Sequence, residues 1–320
     1  MNFEKITFII LLKDNPQQSK NLIHYINNLP FKINIVIADG SKYKQKKIFQ
    51  NISNAKKNYF YSGYDRNIFA MYKKIQRALQ IIKTEFVYFL DQGDFLNFKT
   101  LKKCEKILHK NKRKSIAIGT IYNFIKTKKK FIIKSKLYKK KPVEKNKLFS
   151  RIVSNFHLRS YHGLHRTKLL KKSVEIIIKH NLNDSRSCEF VIDTNNLFYG
   201  NFSLINDVHL LHEAPKIKKK HIINKKFSSR EKWFKNYFSL IIKGIFKDIL
   251  SYHRINSNKI LIDKLVEYFF INDIKYNIKK EKLSVLRRII DKTKILFKKD
   301  IKLIKFINTI QNDTKIKNSY

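Results

Sequence analysis

Asp91 and Asp94 end an otherwise apolar stretch in a chain short of acids. In "FVYFLDQGDFL", residues 86–96, five apolar residues run directly into Asp91, and Asp94 follows three positions later. A second apolar run, "KINIVIAD", closes on Asp39. Carboxylates grouped in this way bind hard divalent cations such as Mg²⁺ or Mn²⁺, which prefer carboxylate and phosphate oxygens. One such aspartate alone is equally well explained as a turn or cap residue. Three on one edge favour a site, because residues 1–215 hold only 15 acids.

Whether they share an edge depends on the elements that carry them. "ITFIILL" (6–12) is a continuous β-branched and apolar run, the mark of a strand buried on both faces. "NPQQ" breaks it, and Leu22, Ile23, Ile26 and Leu29 then follow helical spacing, with Ser19 as the expected N-cap. "KINIVIAD", the helix "NIFAMYKKIQRALQIIK" and the strand "EFVYFLD" continue the alternation. Strand and helix in turn predict a parallel sheet flanked by helices, with ligands bound beyond the carboxyl ends of its strands. Asp39 and Asp91 fall at two such ends.

Further along, "TLKKCEKILHK" reads as a helix and "SIAIGTIYNF" as a strand, and the lysine-dense stretch that follows reads as an exposed hairpin. "RTKLLKKSVEIIIKHN" and "CEFVIDTNNLFYG" read as helices, the second stopping at Gly200, and "NFSLINDVHLLH" as a closing strand. From about Lys216 long amphipathic helices take over. This divides the chain into an α/β domain over 1–215 and a basic α-helical C-terminal region over 216–320.

The composition narrows the function. At 43% hydrophobic and 13% aromatic residues the chain can bury a core, which excludes general disorder. The net charge of +46 ordinarily points to nucleic acid or anionic lipid. Here Lys outnumbers Arg 59 to 11 and the charge is spread, net +27 over 1–215 and +19 over 216–320. That is the pattern of a compositional bias, so nucleic acid is not the expected partner. Two cysteines without metal spacing, and no apolar run long enough to span a bilayer, predict a cytoplasmic protein, at most peripheral on the inner face of a membrane. Neither a phosphate loop nor a G-x-G-x-x-G turn is present, so a bound pyrophosphate would be neutralised by metal and side-chain cations.

With these residues in view, residues 5–213 resemble the family 2 glycosyltransferases of GT-A fold, in a divergent bacterial branch. "IVIADGSK" is similar to the family's D-G-S turn, "FVYFLDQGDFL" to its "FLDADD" segment, and "YDRNIFAMYKK" to its "YDAMNKG" approach. The resemblance implies a GT-A-like, mixed and mostly parallel sheet, and a nucleotide-diphosphate sugar as donor. It implies that Asp39 contacts the donor's base or ribose, that Asp65 and Arg66 line the nucleotide pocket, and that Asp91 and Asp94 occupy the metal-binding region. The metal would be Mn²⁺ or Mg²⁺. Gly93 stands where the family usually has an acid, so metal binding rests on Asp94, with Asp91 reaching the ribose.

An inverting sugar transfer needs a base to deprotonate the acceptor hydroxyl. "CEFVIDTNNLFYG" is similar to the family's base-bearing helix and places Glu189 at the base, Cys188 at the preceding acid and Asp193 as the fallback. A solvated helix acid is the plain alternative for Glu189. Among His157, His162, His165, His209 and His212, the resemblance puts His212 near metal or phosphates, with Leu210 where the family has Arg. It puts His162 in a sugar- or acceptor-facing loop.

The activity implied is a hexosyl-type transfer to a glycan or lipid-linked acceptor in surface polysaccharide or lipopolysaccharide assembly. The rival is a catalytically dead basic protein that binds nucleic acid or anionic membrane, for which Gly93 is the best argument and the acids on the ligand edge the best objection. A nucleotidyltransferase would need a Gly- and Arg-rich N-terminal loop that "ILLKDNPQQ" lacks. In the C-terminal region, Phe234, Tyr237, Phe238, Ile241, Ile245 and Ile249 form an apolar stripe. It either packs on the rest of the chain or lies on an anionic leaflet.

Overall fold

The fold was analysed in a computed structural model that describes residues 2–126, 131–136, 143–155, 160–213, 239–256, 259–268 and 306. The apolar runs form the strands expected of them: β1 (Ile6–Leu12), β2 (Ile33–Asp39) and, two strands on, β4 (Phe86–Asp91). Successive side chains of a strand face opposite sides, and both sides are covered. Phe8, Ile10 and Leu12 enter one core with α1 (Pro16–Asn27) and α4 (Phe98–Lys110). Ile9 and Leu11 enter the other with α3 (Ile68–Ile81), α6 (Thr167–Lys179) and α7 (Ser185–Tyr199). The structure is a mixed α/β sheet flanked by helices.

Between β2 and α3 the chain forms a short helix, α2 (Lys46–Phe49), and a strand the sequence did not disclose, β3 (Ala55–Tyr61). β3 is an edge strand whose Lys56, Lys57 and Asn58 are exposed, so no apolar run marks it. β5 (Phe95–Leu96) and β8 (Leu164–Arg166) are too short to show a period and exist through their partners. β6 (Lys114–Lys126) pairs antiparallel with β7 (Phe131–Lys136), the hairpin expected in the lysine-dense stretch. α5 (Leu148–Asn155) and β9 (Asn201–Glu213) complete the α/β part.

The strand order is β3-β2-β1-β4-β8-β6-β9-β5, with β7 on β6. β1/β2, β1/β4, β2/β3 and β6/β9 are parallel and carry the long registers. The antiparallel pairs β4/β8, β6/β8 and β5/β9 join two residues each.

Helix ends follow local chemistry, with one displacement. α1 begins at Pro16, whose fixed φ suits a first turn, and its cap is Asn15, which accepts the Gln18 N–H at 3.2 Å. The expected cap, Ser19, is therefore inside the helix and its hydroxyl is used elsewhere. α7 stops at Gly200 as expected, but in extended rather than left-handed backbone. Glycine is required there because a Cβ would run into the Arg113 carbonyl.

α8 (Ser239–Tyr252) decides the apolar stripe for the residues described. Ile242, Ile245, Phe246, Ile249 and Leu250 are buried in the α7-side core, Ile241 packs against it, and Phe246 touches Phe190 and Phe198. Truncating a buried phenylalanine such as Phe246 to alanine costs roughly 3–5 kcal/mol. The stripe is a packing surface rather than a face left for a membrane. Lys243 pairs with Asp263 of α9 (259–268) at 2.8 Å. Phe234, Tyr237, Phe238 and the later helix read at "LSVLRRIIDKTKILFKKDIKLIKFI", apart from Phe306, lie outside the described residues. No helix among the described residues is long and apolar enough to cross a membrane.

Candidate active site

Parallel pairing aligns the acids as the sequence required. Leu12 of β1 stands opposite Asp39 and Leu11 opposite Asp91, so the carboxyl ends of β2 and β4 flank that of β1 on one edge. Asp39 itself is wholly buried and engaged. Its Oδ1 accepts the Ser41 N–H at 2.9 Å, and its Oδ2 accepts the Gln45 N–H at 2.8 Å and the Tyr59 hydroxyl at 2.5 Å. Burial and this bond to Asp39 push the Tyr59 phenol well above its ordinary pKa.

From Asp39 a buried polar chain ties the edge loops together. Gln45 Nε2 donates to Ser41 Oγ at 2.5 Å and Ser19 Oγ to Gln45 Oε1 at 2.6 Å. Gln92 Nε2 donates to Ser19 Oγ at 2.7 Å, and Gln92 Oε1 accepts the Lys13 N–H at 2.7 Å. A fully bonded network of this kind rigidifies the loops it crosses. Asp14 adds a further tie from a left-handed backbone (φ 47°), with its N–H on Ser41 Oγ and its Oδ1 accepting the Lys42 N–H.

Asp65 is buried against Lys74 of α3 in an ion pair that also reaches the Leu12 carbonyl. Its N–H donates to the Gly40 carbonyl at 2.9 Å, and a Cβ at Gly40 would occupy the space of this pair. Burial lowers the Lys74 pKa, opposed by Asp65. Asp65 therefore fixes the loop wall, whereas Arg66 beside it is exposed. Lys13 lies over the Tyr64 ring, 5.6 Å from its centroid.

The densest group of ionisable side chains is Asp91, Asp94, His162 and His212, whose ligand atoms lie within 4.8 Å of one another. His212 Nδ1 is 2.7 Å from Asp94 Oδ1, His162 Nδ1 is 4.0 Å from Asp94 Oδ2, and the two imidazole centroids are 4.7 Å apart. Asp94 also folds back to accept the Asp91 N–H at 3.2 Å. Burial and the neighbouring Asp94 charge raise Asp91 to about 7. Against the effect of burial, Asp94 and its hydrogen bond raise His212 to about 9. Burial is the larger cause of the Asp91 rise and the nearby Asp94 carboxylate the second, and both disfavour the charged form. Two carboxylates with two imidazoles fit Mn²⁺, and fit Mg²⁺ less well because it favours oxygen alone.

Glu189 is partly buried on α7, and its charge acts on the same two tyrosines as that of Asp91. Burial first, then the charges of Asp91 and Glu189 among others, holds the Tyr72 and Tyr161 phenols well above their ordinary pKa. Tyr161 stacks on Phe89 of β4 at 4.8 Å. Cys188 is fully buried with its thiol pushed up to about 12 by burial, so it supplies no acid at that position. Asp193 accepts from the Ser160 N–H at 2.9 Å and from the Ser160 hydroxyl.

The remaining histidines stand apart. His165 and His209 are fully buried, and burial lowers them to about 4 and about 3; His209 Nδ1 lies 3.8 Å from Cys104 Sγ. His157 lies outside the described residues. Leu210 is buried in the core opposite Leu96. Sequence reasoning missed Gln92, Tyr72, Tyr161, Gln18 and Glu213. Of these, Gln92 stood inside the quoted acidic segment, whereas nothing local marked the others.

No family model and no curated protein matches the chain. Among solved structures it is similar to S. aureus TarS 1–349, with a TM-score of 0.51 and 18% identity over 83% of this chain and 70% of that one. The same fragment in complex with UDP-GlcNAc is matched at a TM-score of 0.49 and 18% identity, over 83% of this chain and 71% of that one. At this identity the likeness establishes the fold, a curled, mostly parallel sheet flanked by helices of GT-A-like form.

Proposed function

We propose that the chain is an inverting glycosyltransferase, hexosyl-type and of family 2 in a divergent bacterial branch. It moves a sugar from a nucleotide-diphosphate sugar to a glycan or lipid-linked acceptor in surface polysaccharide or lipopolysaccharide assembly. The observation that carries the reading is the convergence of Asp91, Asp94, His162 and His212 beyond the carboxyl ends of parallel strands, with the charge of Glu189 acting on Tyr161 as those of Asp91 and Asp94 do. Open α/β sheets place their ligands at that edge. A basic protein built only to hold a polyanion gains nothing from carboxylates in its cleft.

In this reading Asp94, Asp91 and His212 hold Mn²⁺ or Mg²⁺. The chemistry such a cation supplies is neutralisation of pyrophosphate charge. Asp39 and Asp65 fix the loops of the nucleotide pocket, where Arg66 contacts the donor. His162 faces the sugar. Glu189 takes the proton of the acceptor hydroxyl as its oxygen attacks the anomeric carbon. The bond from that carbon to the phosphate oxygen breaks, and the nucleoside diphosphate leaves with the electron pair. The 1–215 and 216–320 regions act as catalytic domain and basic extension. The protein works in the cytoplasm, peripheral to the inner face of an anionic membrane.

The test is a screen of nucleotide-diphosphate sugars that follows nucleoside diphosphate release, with Mn²⁺ and with chelator. A donor that is turned over with Mn²⁺, and no longer bound by Asp94→Asn, supports the reading. If no donor binds the parent protein under either condition, the rival basic binding protein takes its place.

A further inference from the structure

The four ligand-type side chains of the cation site come from three separate segments, and each segment is anchored. Asp91 and Asp94 belong to the turn at the end of β4, where Asp94 accepts the Asp91 N–H at 3.2 Å. His212 lies near the end of β9, and the pairing of Phe95 with Leu211 brings it alongside Asp94. His162 belongs to the turn at 160–163. There Ser160 is held by Asp193, and Tyr161 stacks on Phe89 of β4 at 4.8 Å. The Gly163 N–H closes the turn on the Ser160 carbonyl at 2.7 Å, and β8 then pairs with both β4 and β6. The His162 side chain is 14% exposed, its ring 4.7 Å from that of His212 and its Nδ1 4.0 Å from Asp94 Oδ2.

Donor atoms about 2.1 Å from one ion stand about 3.0 Å apart when adjacent and about 4.2 Å apart when opposite. His212 Nδ1 and His162 Nδ1 lie 2.7 Å and 4.0 Å from the two Asp94 oxygens, and one donor atom from each of the four residues falls within 4.8 Å of the rest. The cluster is close to the size of one coordination sphere, and His162 is part of it. We infer that His162 is a fourth ligand to the cation, through Nδ1, and that this second imidazole makes the site select Mn²⁺ over Mg²⁺. The inference rests on the proposed cation site and adds a ligand to the three assigned there. Mg²⁺ takes oxygen donors and keeps its waters, so each nitrogen donor widens the gap between the two ions. A ligating imidazole keeps its second ring N–H for another partner, which leaves Nε2 of His162 for the sugar.

Pulsed EPR of Mn²⁺ bound to the full-length protein counts the coordinated imidazoles from their nitrogen couplings. Two are expected in the parent and one in His162→Ala, with the melting temperature of each variant as a check on folding. Calorimetry with Mn²⁺ and with Mg²⁺ reads the selectivity. His162→Ala is expected to weaken Mn²⁺ binding about tenfold or more, the scale of loss seen when groups supporting a metal site are changed. Mg²⁺ binding should weaken less. His162→Asp returns an oxygen ligand to the same place and is expected to recover Mn²⁺ affinity while narrowing the preference over Mg²⁺. The nitrogen count of the parent depends on no variant, so it decides the matter even if His162→Ala fails to fold. One coordinated nitrogen in the parent, with Asp94→Asn still abolishing Mn²⁺ binding, overturns the role of His162 and leaves the cation site standing. No Mn²⁺ binding by the parent protein overturns both.

Discussion

Oδ1 of Asp193 accepts both the amide N–H of Ser160, at 2.9 Å, and its hydroxyl. This clasp joins α7 to the turn that delivers Tyr161 and His162. A carboxylate held in this way is expected to position that turn. Asp193→Ala leaves two buried donors unmet, which costs roughly 1–3 kcal/mol, and it is expected to weaken Mn²⁺ binding along with stability. Asp193→Asn keeps an acceptor and should melt near the parent temperature. If Asp193→Asn folds normally, binds donor and yet transfers no sugar, the base is Asp193 after all.

Glu189→Gln is nearly isosteric and removes only the proton acceptor. Transfer is expected to fall by about 10²-fold or more while donor binding is unchanged. Single-turnover kinetics beside donor calorimetry separate the two effects. Transfer at the parent rate would show that Glu189 is a solvated helix acid.

Lys74 and Asp65 form a buried ion pair beneath the loop after β2. Lys74→Met removes one partner and leaves a buried carboxylate alone, a loss of roughly 3–5 kcal/mol. Adding Asp65→Asn removes the stranded charge and should recover part of that loss. Denaturant midpoints of the three proteins decide it; a single variant as stable as the parent would mean that the pair is not maintained in solution.

Acid should destabilise the fold in a defined window. His165 and His209 are buried and lowered to about 4 and about 3 from an ordinary 6.5. The unfolded chain binds their protons first, so stability falls as pH drops below 6.5 and levels off only near 3–4. Each contributes at most about 1.4 kcal/mol per pH unit within that window. Melting temperatures between pH 7 and pH 4.5 should fall less steeply in His209→Leu than in the parent. Identical slopes would place the titration elsewhere.

Much of the fold was legible because its cause is local. Runs such as "ITFIILL" and "FVYFLD" are apolar on both alternating faces, which only a strand covered on both sides can bury. The register of the three parallel strands then puts Asp39 and Asp91 on one edge without further information. Glu189 and Asp193 share one helix. Their sequence context separates them poorly, whereas the contact of Asp193 with Ser160 appears only in the tertiary structure.

The amino-acid sequence by itself determined the buried parallel strands, the helices between them, and the acids at the strand ends, since periodicity and chain order act over a few residues. Tertiary structure alone decided what meets those acids. β5 has two residues and no periodic signature, yet its pairing with β9 brings His212 to Asp94 across 118 positions and sets Glu213 in the space beside Gly93. It likewise decided that the α8 stripe turns inward onto α7. Contacts of that span depend on strand order and on which surfaces remain to be covered, and neither is written in the spacing of neighbouring residues.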